Sequence, residues 1–232
     1  MNIILLLILI FLVFFLLFIL FKGKQKDSSS SPPLPKYISI PNYEVLILEN
    51  LLSESECKEL IQLAKNNKMD PSQVVSDKST SDYDLDSRNS FQVWMDAKTN
   101  PILSKISKKS QEITGYPYAN QEMVQIVKYE TGGKFDAHFD SCIQPDSICQ
   151  EMNRKAGERR TTLLVYLNDD MEGGETEFVE IGKKIKPSPG KAILFHSTNE
   201  KDQTIHQSKH RGCPVTKGEK WIATIWSHSL PY

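Results

Sequence analysis

The stretch YETGGKFDAHFD, residues 129–140, places one of the chain's five histidines two residues before an aspartate and shortly after a glycine pair. Residues two apart on a strand face the same way, so His138 and Asp140 would present an imidazole and a carboxylate side by side. Two ligands do not make a metal site, and His-x-Asp alone also fits a surface strand of solvated polar residues. Gly132 and Gly133 add a tight turn ahead of the pair, and Phe135 and Phe139 supply apolar anchors for the opposite face, which favours a built site.

A third ligand must come from His196, His206, His210 or His228. His210 is the best candidate, because HRGCPVTKGEKW (residues 210–221) places it just before a Gly/Pro-containing turn. Lys220 returns on the following strand, so the two are expected to face each other across a hairpin, or nearly so. Two histidines and one carboxylate leave three open positions on an octahedral iron, the pattern of a non-haem Fe(II) oxygenase. A four-coordinate zinc hydrolase is the competing chemistry, although no residue obviously serves as its general base. A buried lysine beside such a metal needs an anion, and Lys220 would pair with the far carboxylate of a dicarboxylic cosubstrate whose near end chelates the iron. The plain alternative for Lys220 is a solvated strand end.

At 232 residues, with 39% hydrophobic and 25% charged composition, there is room for one packed domain plus an appendage. The 28 basic residues are balanced by 29 acidic ones, so no global field draws the protein onto nucleic acid. Residues 3–21 form an unbroken apolar run of 19, about 28 Å as a helix and long enough for a bilayer core. The run ends in Phe21, Lys22, Gly23 and Lys24 rather than in the small residues of a cleavage site, so it is expected to be an uncleaved anchor. KDSSSSPPLPK (residues 26–36) is polar and proline-rich and reads as an extended spacer. The expected organisation is therefore an anchor over 1–22, a linker over 23–36 and one folded domain over 37–232.

In SESECKELIQLAKNNK (residues 53–68), Ser53 and Glu56 have capping-box spacing, and Cys57, Leu60, Ile61 and Ala64 recur at helical period. A second helix starts at Asn100 with Pro101 in its first turn, presents Ile102, Leu103 and Ile106 on one face, and stops at Gly115. From Glu122 onward the pattern turns to short β-rich segments: MVQIVKY, TTLLVYL, TEFVEI, KAILFH and KWIATIW. Helices first and many short strands afterwards predict an α+β, mainly-β fold, a jelly-roll-like antiparallel sandwich with helices packed outside.

Over residues 46–228 the chain resembles the prolyl 4-hydroxylase branch of the 2-oxoglutarate and Fe(II)-dependent dioxygenases. YETGGKFDAHFD is similar to that family's tyrosine, glycine and His-x-Asp block, RRTTLLVYLNDDMEGGETEF to its central strand pair, and HRGCPVTKGEKWIATIW to its distal histidine and lysine block. The resemblance implies a double-stranded β-helix core with His138, Asp140 and His210 as iron ligands. It also implies that Lys220 binds the 2-oxoglutarate C5 carboxylate, helped by the hydroxyls of Tyr129 and Thr176. The implied reaction is hydroxylation of peptidyl proline at C4, with succinate and carbon dioxide as co-products and L-ascorbate restoring iron oxidised in uncoupled turnovers.

The same resemblance assigns substrate contacts to Arg88 and Ser90 in SRNS, Glu122 in EMVQIVKY, Arg159 in RRTT, and Trp226 and His228 in WSH. Arg88 and Ser90 fall in a polar stretch expected to act as a lid over a proline-rich or collagen-like peptide. The chain departs from the family pattern at Ile225, where lysine is frequent, and Arg160 beside Arg159 leaves two candidates for the functional arginine. Lys22, Lys24 and Lys26 after the apolar run favour the cytosolic face. The family and the close pair Cys142 and Cys149, spaced for a small disulfide loop, favour the endoplasmic reticulum lumen, which is the expectation. Two other readings compete: an oxygenase of this kind acting on lysine or a small molecule, and a membrane-tethered jelly-roll binding module without chemistry.

Overall fold

Ser53 accepts a hydrogen bond from the Glu56 backbone while the Glu56 carboxylate accepts one from Ser53 N, and this capping box starts helix α1 (Glu54–Lys65). Asn100 caps helix α2 (Pro101–Thr114), whose C-terminus is closed by Gly115 in the left-handed region. Both helices start where the sequence predicts, and the second also stops there. The structure, a computed structural model, describes residues 36–72, 86–142 and 153–232. The chain divides into two units, Met1–Leu34 and Pro35–Tyr232, and every described residue belongs to the second. The expected anchor and most of the linker therefore lie outside the described residues.

The strands are β1 (Lys36–Ile40), β2 (Tyr43–Leu48), β3 (Asp70–Pro71), β4 (Phe91–Met95), β5 (Val124–Tyr129), β6 (Phe135–His138) and β7 (Arg159–Tyr166). They continue with β8 (Glu172–Gly173), β9 (Thr176–Phe178), β10 (Lys183–Ile185), β11 (Ala192–His196), β12 (His210–Gly212), β13 (Val215–Lys217) and β14 (Lys220–His228). Eight form one sheet in the order β1-β2-β11-β7-β14-β5-β4-β3, four form a second in the order β10-β9-β12-β6, and β13 pairs with β8. Neighbouring strands run antiparallel throughout, for example β14 against both β5 and β7.

Side-chain alternation on the eight-stranded sheet sorts the core into two layers. Leu163 and Val165 of β7, Val124 and Ile126 of β5, and Trp221, Ala223 and Ile225 of β14 face Cys57, Leu60 and Ala64 of α1 and Ile102, Leu103 and Ile106 of α2. The intervening residues Leu164, Tyr166, Val127, Tyr129 and Ile222 face the other way and meet Phe178 and Ile185 of the smaller sheet. The result is the expected mainly-β sandwich with helices on one outer face.

Three sequence expectations are corrected. Strands precede and interleave with the helices: β1 and β2 come before α1, and β4 lies between α1 and α2. The β1–β2 hairpin turns at Asn42, held at φ 66, a short local signal that a search for long periodic segments passes over. TEFVEI is extended only as far as Phe178, after which Val179–Ile181 tighten into a 3₁₀ turn. Finally, His210 and Lys220 do not oppose each other across a hairpin. The chain leaves the small sheet after Gly212, pairs β13 with β8, and enters the large sheet at β14, so the two residues stand on different sheets.

Gly190 ties the layers together. Its N–H donates to Tyr166 O at 2.9 Å and its carbonyl accepts from Leu51 N at 2.8 Å. Its φ is +75°, and an added Cβ would stand 1.9 Å from Leu52 O. Left-handed strain plus backbone overpacking predicts that Gly190→Ala destabilises the fold by about 2–5 kcal/mol, read as a lower urea midpoint. An unchanged midpoint would contradict this docking.

Candidate active site

His138 closes β6 and His210 opens β12, and the two residues are direct partners in the antiparallel ladder. Asp140 follows two residues after His138. His138 Nε2 lies 3.5 Å from Asp140 Oδ1 and His210 Nε2 lies 3.9 Å from Asp140 Oδ2. One ligand atom from each lies within 4.8 Å of the others, the one such group of three among the described residues. His138 Nδ1 is 2.8 Å from Asp136 O and His210 Nδ1 is 2.9 Å from Ser208 O. Those carbonyls fix the Nδ1–H tautomers and leave both Nε2 lone pairs aimed at the common centre, the arrangement that prepares imidazoles for a metal.

Thr162 donates to Asp140 Oδ2 at 2.6 Å and orients the carboxylate. Burial alone would raise the Asp140 carboxyl, but His210 and then His138 hold it well below the usual carboxylate range. Burial, with His138 next, pushes the His210 imidazole down to about 4, so it is neutral and ligand-ready at neutral pH. The other histidines stand apart from this centre. His206 is exposed beside Glu180, and His228 belongs to a separate cluster.

Phe135 does not anchor the opposite face as the sequence suggests. It stacks on His138 with ring centroids 3.6 Å apart, and the Arg88 guanidinium lies 4.6 Å from its ring. The sharp Gly132–Gly133 turn before β6 brings this residue into the site rather than away from it.

Lys220 enters from the opposite sheet, cross-strand from Tyr129. Only 2% of it is exposed, and its Nζ lies 5.3 Å from the Tyr129 ring and 5.8 Å from the Tyr166 ring. The Thr176 and Tyr166 hydroxyls are buried without hydrogen-bond partners. Burial is what raises the Tyr166 pKa, against a smaller lowering by the neighbouring Thr176 hydroxyl. Gly174, at φ +71°, leaves room for the lysine stem, since a Cβ there would stand 3.2 Å from Lys220 Cδ. A buried ammonium in a cavity that Thr176 and Tyr129 also line suits one end of a dicarboxylate, and the ligand trio lines the same cavity. The residues present thus fit both an iron ion and 2-oxoglutarate.

Tyr129 lines the same cavity beside Lys220. Its hydroxyl is engaged by Ser90 and Arg88, while burial is what chiefly raises its pKa. Tyr166, two pleats from Thr162 on the same face of β7, was not singled out in the sequence. The alternation of Thr162, Leu164 and Tyr166 within TTLLVYL was the available signal for both residues.

The substrate-side candidates gather around Trp226. Glu122 accepts two hydrogen bonds from Arg159, at 2.5 Å and 2.9 Å, and lies 2.9 Å from His228 Nε2. The Arg159 guanidinium lies 4.1 Å from the Trp226 ring. Burial opposes ionisation of Glu122, but Arg159 and His228 together hold its carboxyl below the usual range. Arg160 points away, with Nε 3.1 Å from Asp202, so Arg159 is the arginine at the site.

Arg88 and Ser90 are buried: Arg88 Nε donates to Ser90 Oγ at 3.1 Å, and Ser90 donates to Ser72. Residues 76–85 of the expected lid lie outside the described residues. Ile225 faces the helices and is fully buried, so the departure there does not touch substrate. Cys142 is disulfide-bonded while Cys57 and Cys213 are free thiols, and Cys149, the partner the spacing suggests, lies outside the described residues.

Residues 124–228 match the 2OG-Fe(II) oxygenase superfamily. A protein of Acanthamoeba polyphaga mimivirus assigned to the prolyl 4-hydroxylases is 35% identical over 190 residues, covering 82% of this chain and 76% of that one. Prolyl 4-hydroxylase 2 of Arabidopsis thaliana is 33% identical over 203 residues, covering 78% of this chain and 66% of that protein. The crystal structure of the viral collagen prolyl hydroxylase of Paramecium Bursaria Chlorella virus-1, in its 2OG complex, superposes with a TM-score of 0.65 at 30% identity. It covers 80% of this chain and 96% of that one.

Burial pushes the Lys220 ammonium down to about 8 from 10.5. The unfolded lysine keeps its proton up to about 10.5 and the folded one only to about 8, so the ligand-free fold gains stability as pH rises through that window. The dicarboxylate loses its counter-charge in the same window. The dissociation constant for 2-oxoglutarate, measured without oxygen, should therefore rise above pH 8 by up to about tenfold per pH unit. A flat profile to pH 10 would contradict the assignment of Lys220.

Proposed function

The chain belongs to the prolyl 4-hydroxylase family of the 2OG-Fe(II) oxygenase superfamily, and we propose that it hydroxylates C4 of proline in a proline-rich or collagen-like peptide. The balance is one O2 and one 2-oxoglutarate consumed per proline C–H converted to C–OH, with succinate and CO2 released. One observation carries the reading: His138, Asp140 and His210 converge on one point while Lys220 faces them from the other sheet. When bound, Fe(II) would activate O2, which is the oxidant, 2-oxoglutarate would supply two of its four electrons by decarboxylation to succinate, and L-ascorbate would restore iron oxidised without peptide.

In this reading the chain's own residues hold and orient. The Asp136 and Ser208 carbonyls fix the two imidazoles, and Thr162 fixes the carboxylate. Lys220 takes the far carboxylate of 2-oxoglutarate, with the Thr176 and Tyr129 hydroxyls in the same cavity. A proline ring carries no charge to seize, so the peptide must be held by its backbone and its shape. Arg88 and Arg159 are donors for its carbonyls, His228 braces Glu122 beneath them, and Trp226 offers a wall for the ring. Glu122 keeps Arg159 over Trp226.

The test is hydroxyproline formation on a panel of proline-rich and Gly-x-y peptides, followed by mass spectrometry. The wild type should form hydroxyproline and succinate in equal amounts, and His210→Ala should form neither while remaining folded. Succinate formation coupled to a lysine peptide or a small molecule, with every proline peptide untouched, would overturn the proline assignment and leave the oxygenase intact.

We further propose that residues 3–21 anchor the protein in the endoplasmic reticulum membrane with the catalytic domain in the lumen. The apolar run supports the anchor, and the family together with the Cys142 and Cys149 spacing supports the lumen. Among the described residues no helix is long and apolar enough to cross a membrane. In intact microsomes the domain should resist protease until detergent is added; digestion without detergent would place it in the cytosol.

A further inference from the structure

Three of the four exposed large hydrophobic side chains among the described residues are Met123 at 49%, Leu230 at 53% and Tyr232 at 63%. All three belong to the two short stretches that flank the Glu122, Arg159 and His228 cluster. These stretches are pinned by their backbones. Leu230 N donates to Ala156 O at 2.9 Å, Tyr232 N donates to Ala119 O at 2.7 Å, and Glu122 N donates to Trp226 O at 3.0 Å. The Tyr232 ring lies over His228, with centroids 4.9 Å apart and planes tilted by 31°. One face of the ring is thus fixed on the cluster, and the other is offered to solvent.

A second observation points to a chain passing this way. Trp226 lines the cavity, and its indole N–H is buried with no acceptor among the described residues. Both His228 ring nitrogens and two Arg159 N–H groups already face Glu122 or a backbone carbonyl, whereas this buried N–H is left for a passing peptide carbonyl to complete.

The spacing fits a particular peptide. The Arg159 guanidinium lies 4.1 Å from the Trp226 ring and bonds Glu122, which lies 2.9 Å from His228 Nε2, and the His228 ring lies 4.9 Å from that of Tyr232. The Trp226 and Tyr232 rings are therefore separated by one side-chain cluster, no more than about two turns of a polyproline II chain. A polyproline II chain repeats its side-chain direction every three residues, about 9 Å.

We propose that Tyr232 is a second aromatic seat of the peptide groove, receiving a proline or similarly compact apolar residue three positions from the proline held at Trp226. This rests on the prolyl-peptide reading above. Tyr232 is a specificity-determining residue and touches none of the reacting atoms.

The test uses the full chain with Fe(II), 2-oxoglutarate and ascorbate. Its substrates are peptides with one fixed target proline and a second proline moved from four positions before it to four positions after. The wild type should show a KM about two- to tenfold lower when the prolines are three apart on one side, the scale of an aromatic packing contact, with kcat little changed. Tyr232→Phe should keep the preference, because the ring carries it, and Tyr232→Ala should lose it. A preference that survives in Tyr232→Ala, or no preference for any position in the wild type, overturns the inference while leaving prolyl hydroxylation standing. Self-association that disappears in Tyr232→Ala would assign the surface to a second copy of the chain and overturn it as well. Absence of hydroxylation on every peptide would instead sink the prolyl reading itself.

Discussion

Strand β14 is buried along all nine of its residues and on both faces, and the rest of the molecule is arranged around that constraint. Trp221, Ala223 and Ile225 spend one face on the helices, while Lys220, Ile222, Thr224 and Trp226 line the cavity on the other. A one-residue slip against β5 or β7 would turn the lysine into the helix-packed layer and an isoleucine into the site. The register Lys220↔Tyr129 and Trp226↔Thr162 is therefore structural and functional at once. The long two-sided pairing in the middle of the sheet is what holds it.

The second requirement is electrostatic. Depression of the Lys220 ammonium from 10.5 to about 8 corresponds to about 3 kcal/mol of destabilisation of its charged form. A fold retains such a cost where the charge meets a ligand, and a dicarboxylate offsets it directly. Around Trp226 the opposite solution is used: Glu122 is buried but pairs with Arg159 and His228, so that cluster is internally balanced before any peptide arrives. A balanced cluster can hold donors rigidly without drawing in stray anions, which suits recognition of an uncharged proline segment.

Much of this was legible in the sequence. The helix boundaries followed from side-chain capping at Ser53 and Asn100 and from Gly115, all local interactions. The trio of His138, Asp140 and His210 and the position of Lys220 came from residue types and from family resemblance, and the structure brings the four together. Other features depended on tertiary contacts that spacing does not encode. The passage of the chain from one sheet to the other between Gly212 and Lys220 separates residues that look like hairpin partners. The stacking of Phe135 on His138 reflects the turn before β6, not the pleat. Arg88 looked like a loop residue because its neighbours are polar, yet Phe135, Ser90 and Gln125 bury it. Tyr232 lies beyond the last strand, where no periodicity marks it.

The most direct measurement is a crystal structure of the protein grown without oxygen in the presence of Mn(II), as a redox-inert stand-in for Fe(II), and 2-oxoglutarate. The account predicts one metal ion bound through His138 Nε2, His210 Nε2 and an Asp140 carboxylate oxygen, with the far carboxylate of 2-oxoglutarate on Lys220 Nζ. A metal held by His206 or by a cysteine, or a 2-oxoglutarate whose far carboxylate avoids Lys220, would contradict it.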